Sequence, residues 1–224
     1  MLLDSYLLSF SYHLTDTGMN MKTIVFAASK GGVGKTTLCA ALSAFAGEHG
    51  KTAIIDLDPQ GSLSAWWNKR ESDSPELIES SAAELPETLK KAKAAGYKYV
   101  FIDTPPSHMA TIETGIQNAD YVLVPCQPSP IDIEAIGDTL SVIEELGKPF
   151  AFVMNRLISR TRIGEQAVLL LANHGKVAGV PVVQRTTFAT SMTDGRTAPE
   201  VDGGAKAKEE IQALWEFLSS NLKK

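Results

Sequence analysis

Residues 23–28, Thr-Ile-Val-Phe-Ala-Ala, read as a buried strand, and the chain leaves it through Ser-Lys-Gly-Gly-Val-Gly-Lys-Thr-Thr at residues 29–37. A strand that breaks into three glycines and then a helix-forming run has few ways to fold. Gly31, Gly32 and Gly34 let the backbone turn tightly and aim its N–H groups at an anion. The helix starting near Lys35 adds the positive end of its dipole. Lys35 is placed to reach the β- and γ-phosphates of a nucleotide, and the Thr36 hydroxyl to ligate Mg²⁺. The run departs from the ordinary phosphate-loop pattern, because Ser29 stands where that pattern has its first glycine. It also carries a second lysine, Lys30, where one should suffice.

The rest of the chain supports an α/β reading. Strands are expected at 23–28, 52–56, 99–103, 121–125, 150–155 and, briefly, 180–184. Helical stretches fall near 35–49, 61–70, 82–95, 108–118, 131–146, 162–174 and 205–222. Strands separated by helices imply right-handed crossovers and a mostly parallel, twisted sheet flanked by helices on both faces. A length of 224 residues suits one large domain with an ample core. Ligands of such sheets sit at the carboxyl ends of the strands. There the sequence gathers its unusual polar residues: Ser29–Gly32, Asp56–Pro59, Asp103–Pro106 and Asn155-Arg156. Phosphoryl transfer needs a metal, a positioned water and charge at the γ-phosphate. Asp103 closes an apolar strand, as a carboxylate that orders Mg²⁺ does. Asp56 and Asp58 close another, and only one of them is expected to face an attacking water.

Lys30-Gly31-Gly32-Val33-Gly34-Lys35-Thr36-Thr37 resembles the deviant Walker A motif of the ParA/MinD ATPases. Asp56-Leu57-Asp58-Pro59-Gln60-Gly61-Ser62, Ile102-Asp103-Thr104-Pro105-Pro106-Ser107 and Ala119-Asp120-Tyr121-Val122-Leu123-Val124-Pro125 resemble further motifs of the same proteins, over residues 21 to 220. The resemblance implies a P-loop NTPase of the deviant Walker A type that hydrolyses ATP with Mg²⁺ and forms a homodimer in the ATP state. It implies that Gly31, Gly32, Val33, Gly34, Lys35, Thr36 and Thr37 bind the phosphates, with Asn155 contacting adenine. Thr36 would serve Mg²⁺ directly and Asp103 through water. Asp58 would position the attacking water, and Lys30 would reach the phosphates bound by the other subunit.

Three branches of that family differ in ways the sequence can address. Iron–sulfur relatives need paired bridging cysteines. Cys39 lies inside the P-loop helix and Cys126 after a strand, so neither fits. Membrane-attached relatives end in a basic amphipathic helix. Here Ile211, Leu214, Trp215, Leu218 and Leu222 form one stripe with Lys206, Lys208, Lys223 and Lys224 outside it, but Glu209, Glu210 and Glu216 oppose anionic lipid. Such a stripe is also what any core-facing helix shows. The third branch, partition ATPases of plasmids and chromosomes, binds DNA without sequence preference. Residues 156–208 carry a net +4 in a chain of −5, the clustering that phosphate contact needs. Arg160, Arg162, Arg185, Lys206 and Lys208 are the expected DNA contacts. The reading is a partition ATPase of small type in the cytoplasm, on the nucleoid in its ATP state. It would work with a centromere-binding partner of ParB type; the alternative is a MinD-like ATPase that controls membrane attachment. Residues 1–20 are expected to be a disordered extension and 21–224 one ParA-like domain. His108, just past the Asp103 loop, is the one histidine near the expected site.

Overall fold

The computed structural model describes residues 20–158 and 162–223. Its elements run β1 (Lys22–Phe26), α1 (Lys35–Gly47), β2 (Thr52–Asp56), α2 (Ser62–Trp67), β3 (Glu76–Leu77), α3 (Leu85–Ala94), β4 (Tyr99–Asp103) and α4 (Met109–Gln117). They continue with β5 (Tyr121–Cys126), α5 (Pro130–Glu134), α6 (Gly137–Glu145), β6 (Phe150–Met154), α7 (Arg162–Ala172), α8 (Thr186–Ser191), a 3-10 turn (Ala198–Glu200) and α9 (Ala205–Asn221). The six strands form one sheet in the order β3-β2-β4-β1-β5-β6, and every pairing is parallel. The mostly parallel α/β sheet expected from the alternation is therefore what the chain forms.

Strand periodicity divides the core in two. Ile24, Phe26, Ile54, Phe101, Leu123 and Val153 face one side, where α1, α2 and α9 cover them with Leu38, Leu42, Trp66, Leu214 and Trp215. Val25, Ala53, Ile55, Val100, Ile102 and Val122 face the other, under Leu85, Leu89, Ile112, Ile116 and Leu171. Both faces being covered explains why these strands read as continuous apolar runs. The stripe on α9 belongs to the first layer: Ile211, Leu214, Trp215, Leu218 and Leu222 are buried. It is a core-facing stripe. Among the described residues, no helix is long and apolar enough to cross a membrane.

Two expectations need correction. No strand forms over 180–184. That segment makes only an isolated bridge, Leu157 to Val183: the Val182 and Gln184 N–H groups bond to the Met154 and Leu157 carbonyls at 2.8 and 3.0 Å, too short a pairing to make a ladder. The helix expected over 131–146 is broken between Glu134 and Gly137. At the break the ladder tightens, with the Ile136 N–H bonding to the Ile133 carbonyl at 3.2 Å, an i to i+3 step. The Ala135 carbonyl instead accepts the Ser29 hydroxyl at 2.9 Å. A contact from the glycine-rich loop thus sets the break. Of the extension expected over 1–20, residues 1–19 lie outside the described residues, as does Arg160; nothing is described of the Arg162 side chain.

Candidate nucleotide site

The strand order reverses around β1, so the carboxyl ends of β1, β2, β4 and β6 open on one cleft. Its volume is about 1090 Å³, and its walls include Gly31, Gly32, Gly34, Lys35, Thr36 and Asp58. The loop from β1 to α1 forms its floor. Gly34 has φ of +97° and is also crowded: a Cβ there would run into Asn155 Nδ2. Glycine is therefore required twice over at this position. Asn155 uses that close approach to donate to the Val33 carbonyl at 2.7 Å. Its side chain fastens the loop to the end of β6 while lining the same cleft.

Lys35 is buried, and its Nζ donates to the carbonyls of Ala28 (3.0 Å) and Lys30 (3.3 Å). Burial lowers its pKa, while the negative charges of Asp103 and Asp58 oppose that shift. Thr36, one residue on, donates its hydroxyl to Asp103 Oδ2 at 2.6 Å. Asp103 is fully buried. Burial pushes its carboxyl up to about 7; the Thr36 hydrogen bond and Lys35 hold it down, and Asp56 and Asp58 add to the rise. The second oxygen, Oδ1, is buried with no hydrogen-bond partner. An orphaned carboxylate oxygen beside a threonine hydroxyl has the hard oxygen chemistry that suits Mg²⁺. The residues therefore fit the metal that the motif implies.

Asp56 and Asp58 are separated by the end of the strand. Alternation alone would set residues two apart on one face, but β2 stops at Asp56 and the chain turns. Asp56 is occupied structurally, accepting the Asp58 N–H at 3.1 Å and the Ser64 N–H and hydroxyl at 2.9 and 3.0 Å. Asp58 accepts the Gln60 N–H at 2.9 Å and lines the cleft. Lys30 does not line it. Its Nζ pairs with Asp132 on α5 at 2.6 Å. His108 stands outside as well; it is exposed, and its Nδ1 shares a hydrogen bond with the Thr111 hydroxyl at 2.8 Å.

The far wall of the cleft holds residues not singled out from the sequence. Ala65, Trp66 and Lys69 of the α2 region face Phe188, Ala189 and Met192 of the α8 region. The Trp66 indole donates to the Arg196 carbonyl at 2.8 Å, which ties the α2 wall to the segment leading into α9. A glycine-rich loop gives no hint of that wall. The only available signal is Trp66-Trp67 shortly after the Asp56–Ser62 motif.

The basic residues of the C-terminal half are not equivalent. The Arg185 guanidinium makes two hydrogen bonds to Glu210, at 2.6 and 2.7 Å, in a largely buried pair. Arg196 pairs with Asp194. Lys206 and Lys208 are exposed on the first turn of α9, and Arg156, with φ of +53°, is exposed at the cleft edge. Among the described residues none of these three forms an ion pair.

A parallel sheet whose strand ends converge on a glycine loop, a buried lysine and a threonine–aspartate pair defines a P-loop nucleotide-binding protein. Residues 24–198 match the family described as the CobQ/CobB/MinD/ParA nucleotide binding domain, and the chain belongs to it. Among its relatives, the maintenance of carboxysome distribution protein A of Halothiobacillus neapolitanus is 29% identical over 88% of this chain and 97% of its own. The chromosome-partitioning ATPase Soj of Thermus thermophilus is 28% identical over 79% of this chain and 87% of its own. Among solved structures, apo McdA from Cyanothece superposes with a TM-score of 0.76 at 18% identity, covering 88% of this chain and 99% of that one. The cell division ATPase MinD of Pyrococcus furiosus does so with a TM-score of 0.73 at 18% identity, over 89% and 98%. These likenesses bear out the ParA/MinD resemblance read from the motifs and the P-loop fold that it implied.

Proposed function

We propose that the chain is a Mg²⁺-dependent ATPase whose ATP-bound dimer binds DNA without sequence preference and serves to distribute a cargo, as in plasmid or chromosome partition. The observation that carries this reading is that Lys35, Thr36 and Asp58 line one cleft, with the buried Asp103 hydrogen-bonded to Thr36. Lys35 leaves its two carbonyl partners to meet the β- and γ-phosphates, and the backbone N–H groups of residues 31–37 cradle them. Thr36 and Asp103 would hold Mg²⁺, Asp103 through water. When bound, the ion supplies charge neutralisation between the phosphates. Asp58 orients the attacking water, and Asn155, whose Nδ2 is held by the Val33 carbonyl, would have its Oδ1 left for the adenine edge. Lys30 from a second copy would complete the charge around the γ-phosphate, as an arginine finger does.

DNA binding is supported by the exposed cations Lys206, Lys208 and Arg156, which form no ion pair among the described residues, and Arg185 is demoted by its pairing with Glu210. Arg160 and Arg162 stay in the proposal on sequence grounds alone. Relatives named for chromosome partitioning and carboxysome distribution favour distribution along a surface over metabolic chemistry. The burial of the α9 stripe favours DNA over a membrane as that surface. A ParB-type partner that stimulates turnover, and a nucleoid location in the ATP state, complete the reading.

The test is binding to random-sequence duplex DNA with Mg²⁺ and either ATP or ADP, at low and moderate salt. Binding that needs ATP and weakens steeply with salt supports the proposal. Equal binding in both states, or none in either, rejects the DNA switch.

A further inference from the structure

Lys30 and its partner fall outside the cleft and are not explained by it. The Lys30 side chain is 35% exposed, and Asp132, only 7% exposed, meets its Nζ at 2.6 Å. Asp132 sits on α5, the short helix that the glycine-rich loop separates from α6. The same region holds the loop at three further points. The Ser29 hydroxyl donates to the Ala135 carbonyl at 2.9 Å, the Ser29 N–H to the Thr139 hydroxyl at 3.1 Å, and Gln127 Nε2 to the Gly32 carbonyl at 2.9 Å. Those three contacts engage the loop backbone or the short Ser29 side chain. Lys30–Asp132 joins the loop to α5 through a flexible four-carbon stem, so it is the tie that can open without moving the backbone.

We propose that Asp132 is a positioning residue for Lys30: it holds the lysine against its own chain and so sets the threshold for assembly of two copies around nucleotide. This rests on the reading that Lys30 acts across a dimer. A lysine held in cis cannot at the same time meet phosphates bound by another copy. Its departure leaves Asp132 mostly buried without a cation, which penalises the crossing. Each dimer must open two such pairs, so the effect enters the dimerisation constant twice.

The experiment measures dimerisation against protein concentration by sedimentation, with Mg²⁺ and AMPPNP, for the wild type and three variants. Asp132→Asn removes the charge without changing the shape and is expected to tighten the dimer roughly ten-fold, from a few-fold weakening of each pair. Asp132→Glu keeps the charge and is expected to stay within about two-fold of the wild type. A variant that merely loosens the fold would not dimerise more tightly. Lys30→Gln separates the two layers of the claim. Loss of the AMPPNP dimer in Lys30→Gln with no gain in Asp132→Asn overturns the role of Asp132 alone. An unchanged dimer in Lys30→Gln overturns the trans reading and the proposal with it. Should Asp132→Asn fail to fold, Asp132→Ser, which also removes the charge, takes its place: a tighter AMPPNP dimer supports the hold on Lys30, and an unchanged one contradicts it.

Discussion

The phosphate loop and the basic C-terminal half make opposite use of charge. Around the loop, Lys35, Asp58 and Asp103 come from three separate segments yet lie close enough for each to shift another's proton affinity. Between residues 156 and 208 the cations look clustered in sequence, but Arg185 and Arg196 each have a carboxylate partner. The net charge of a segment says little about where a field emerges. A contiguous motif at a strand–helix turn is different, because its spacing is its geometry.

That contrast orders the predictions. The largest effect is expected at the loop, where Lys35→Ala removes the phosphate cation; nucleotide affinity should fall at least a hundred-fold in calorimetry. Tight ATP binding by that variant would break the loop side of the comparison. Asp58→Ala should keep nucleotide affinity within a few-fold, yet lose roughly a hundred-fold in turnover measured by phosphate release. Wild-type turnover would remove Asp58 from its assigned role. On the C-terminal side, Lys206→Ala with Lys208→Ala should flatten the salt dependence of DNA binding by about 2 in the logarithmic slope and leave the fold intact. Arg185→Ala is expected to do the reverse. It should lower stability by about 2 kcal/mol in urea unfolding, because Glu210 loses a largely buried partner, and leave the salt slope unchanged. If Arg185 moves the salt slope and the two lysines do not, the assignment of paired and free cations is inverted. The smallest effect concerns the thiols. Cys39 is buried and shifted well above the ordinary thiol range; burial, with Asp132 adding to it, pushes Cys126 to about 12. Neither should react with an aromatic disulfide reagent at neutral pH until the chain unfolds.

How far the sequence revealed the fold followed the range of the forces involved. β2 and β4 begin and end where their apolar runs do, since covering both faces of a parallel sheet leaves a continuous hydrophobic signature. β3 is two residues long and exists through pairing with β2, which no local pattern announces. α8, Thr-Thr-Phe-Ala-Thr-Ser, is made mostly of weak helix formers and owes its helicity to packing, so it was not expected, and the far wall of the cleft went unseen with it. The break between α5 and α6 comes from Ser29, 106 residues earlier. The loss of Arg185 as a free cation comes from Glu210, 25 residues later. Both are tertiary contacts, and both changed a reading that had rested on local pattern. The glycine loop and the Asp56–Pro59 and Asp103–Pro106 motifs were legible because each is short and ends a strand.

The proposal that two copies complete the site is tested by ATP turnover per chain, with Mg²⁺, over a wide range of protein concentration. Turnover per chain is expected to rise with concentration to a plateau, while a Lys30→Gln variant stays flat near zero. Turnover per chain independent of concentration, and equal in Lys30→Gln, would mean that one chain holds the whole site.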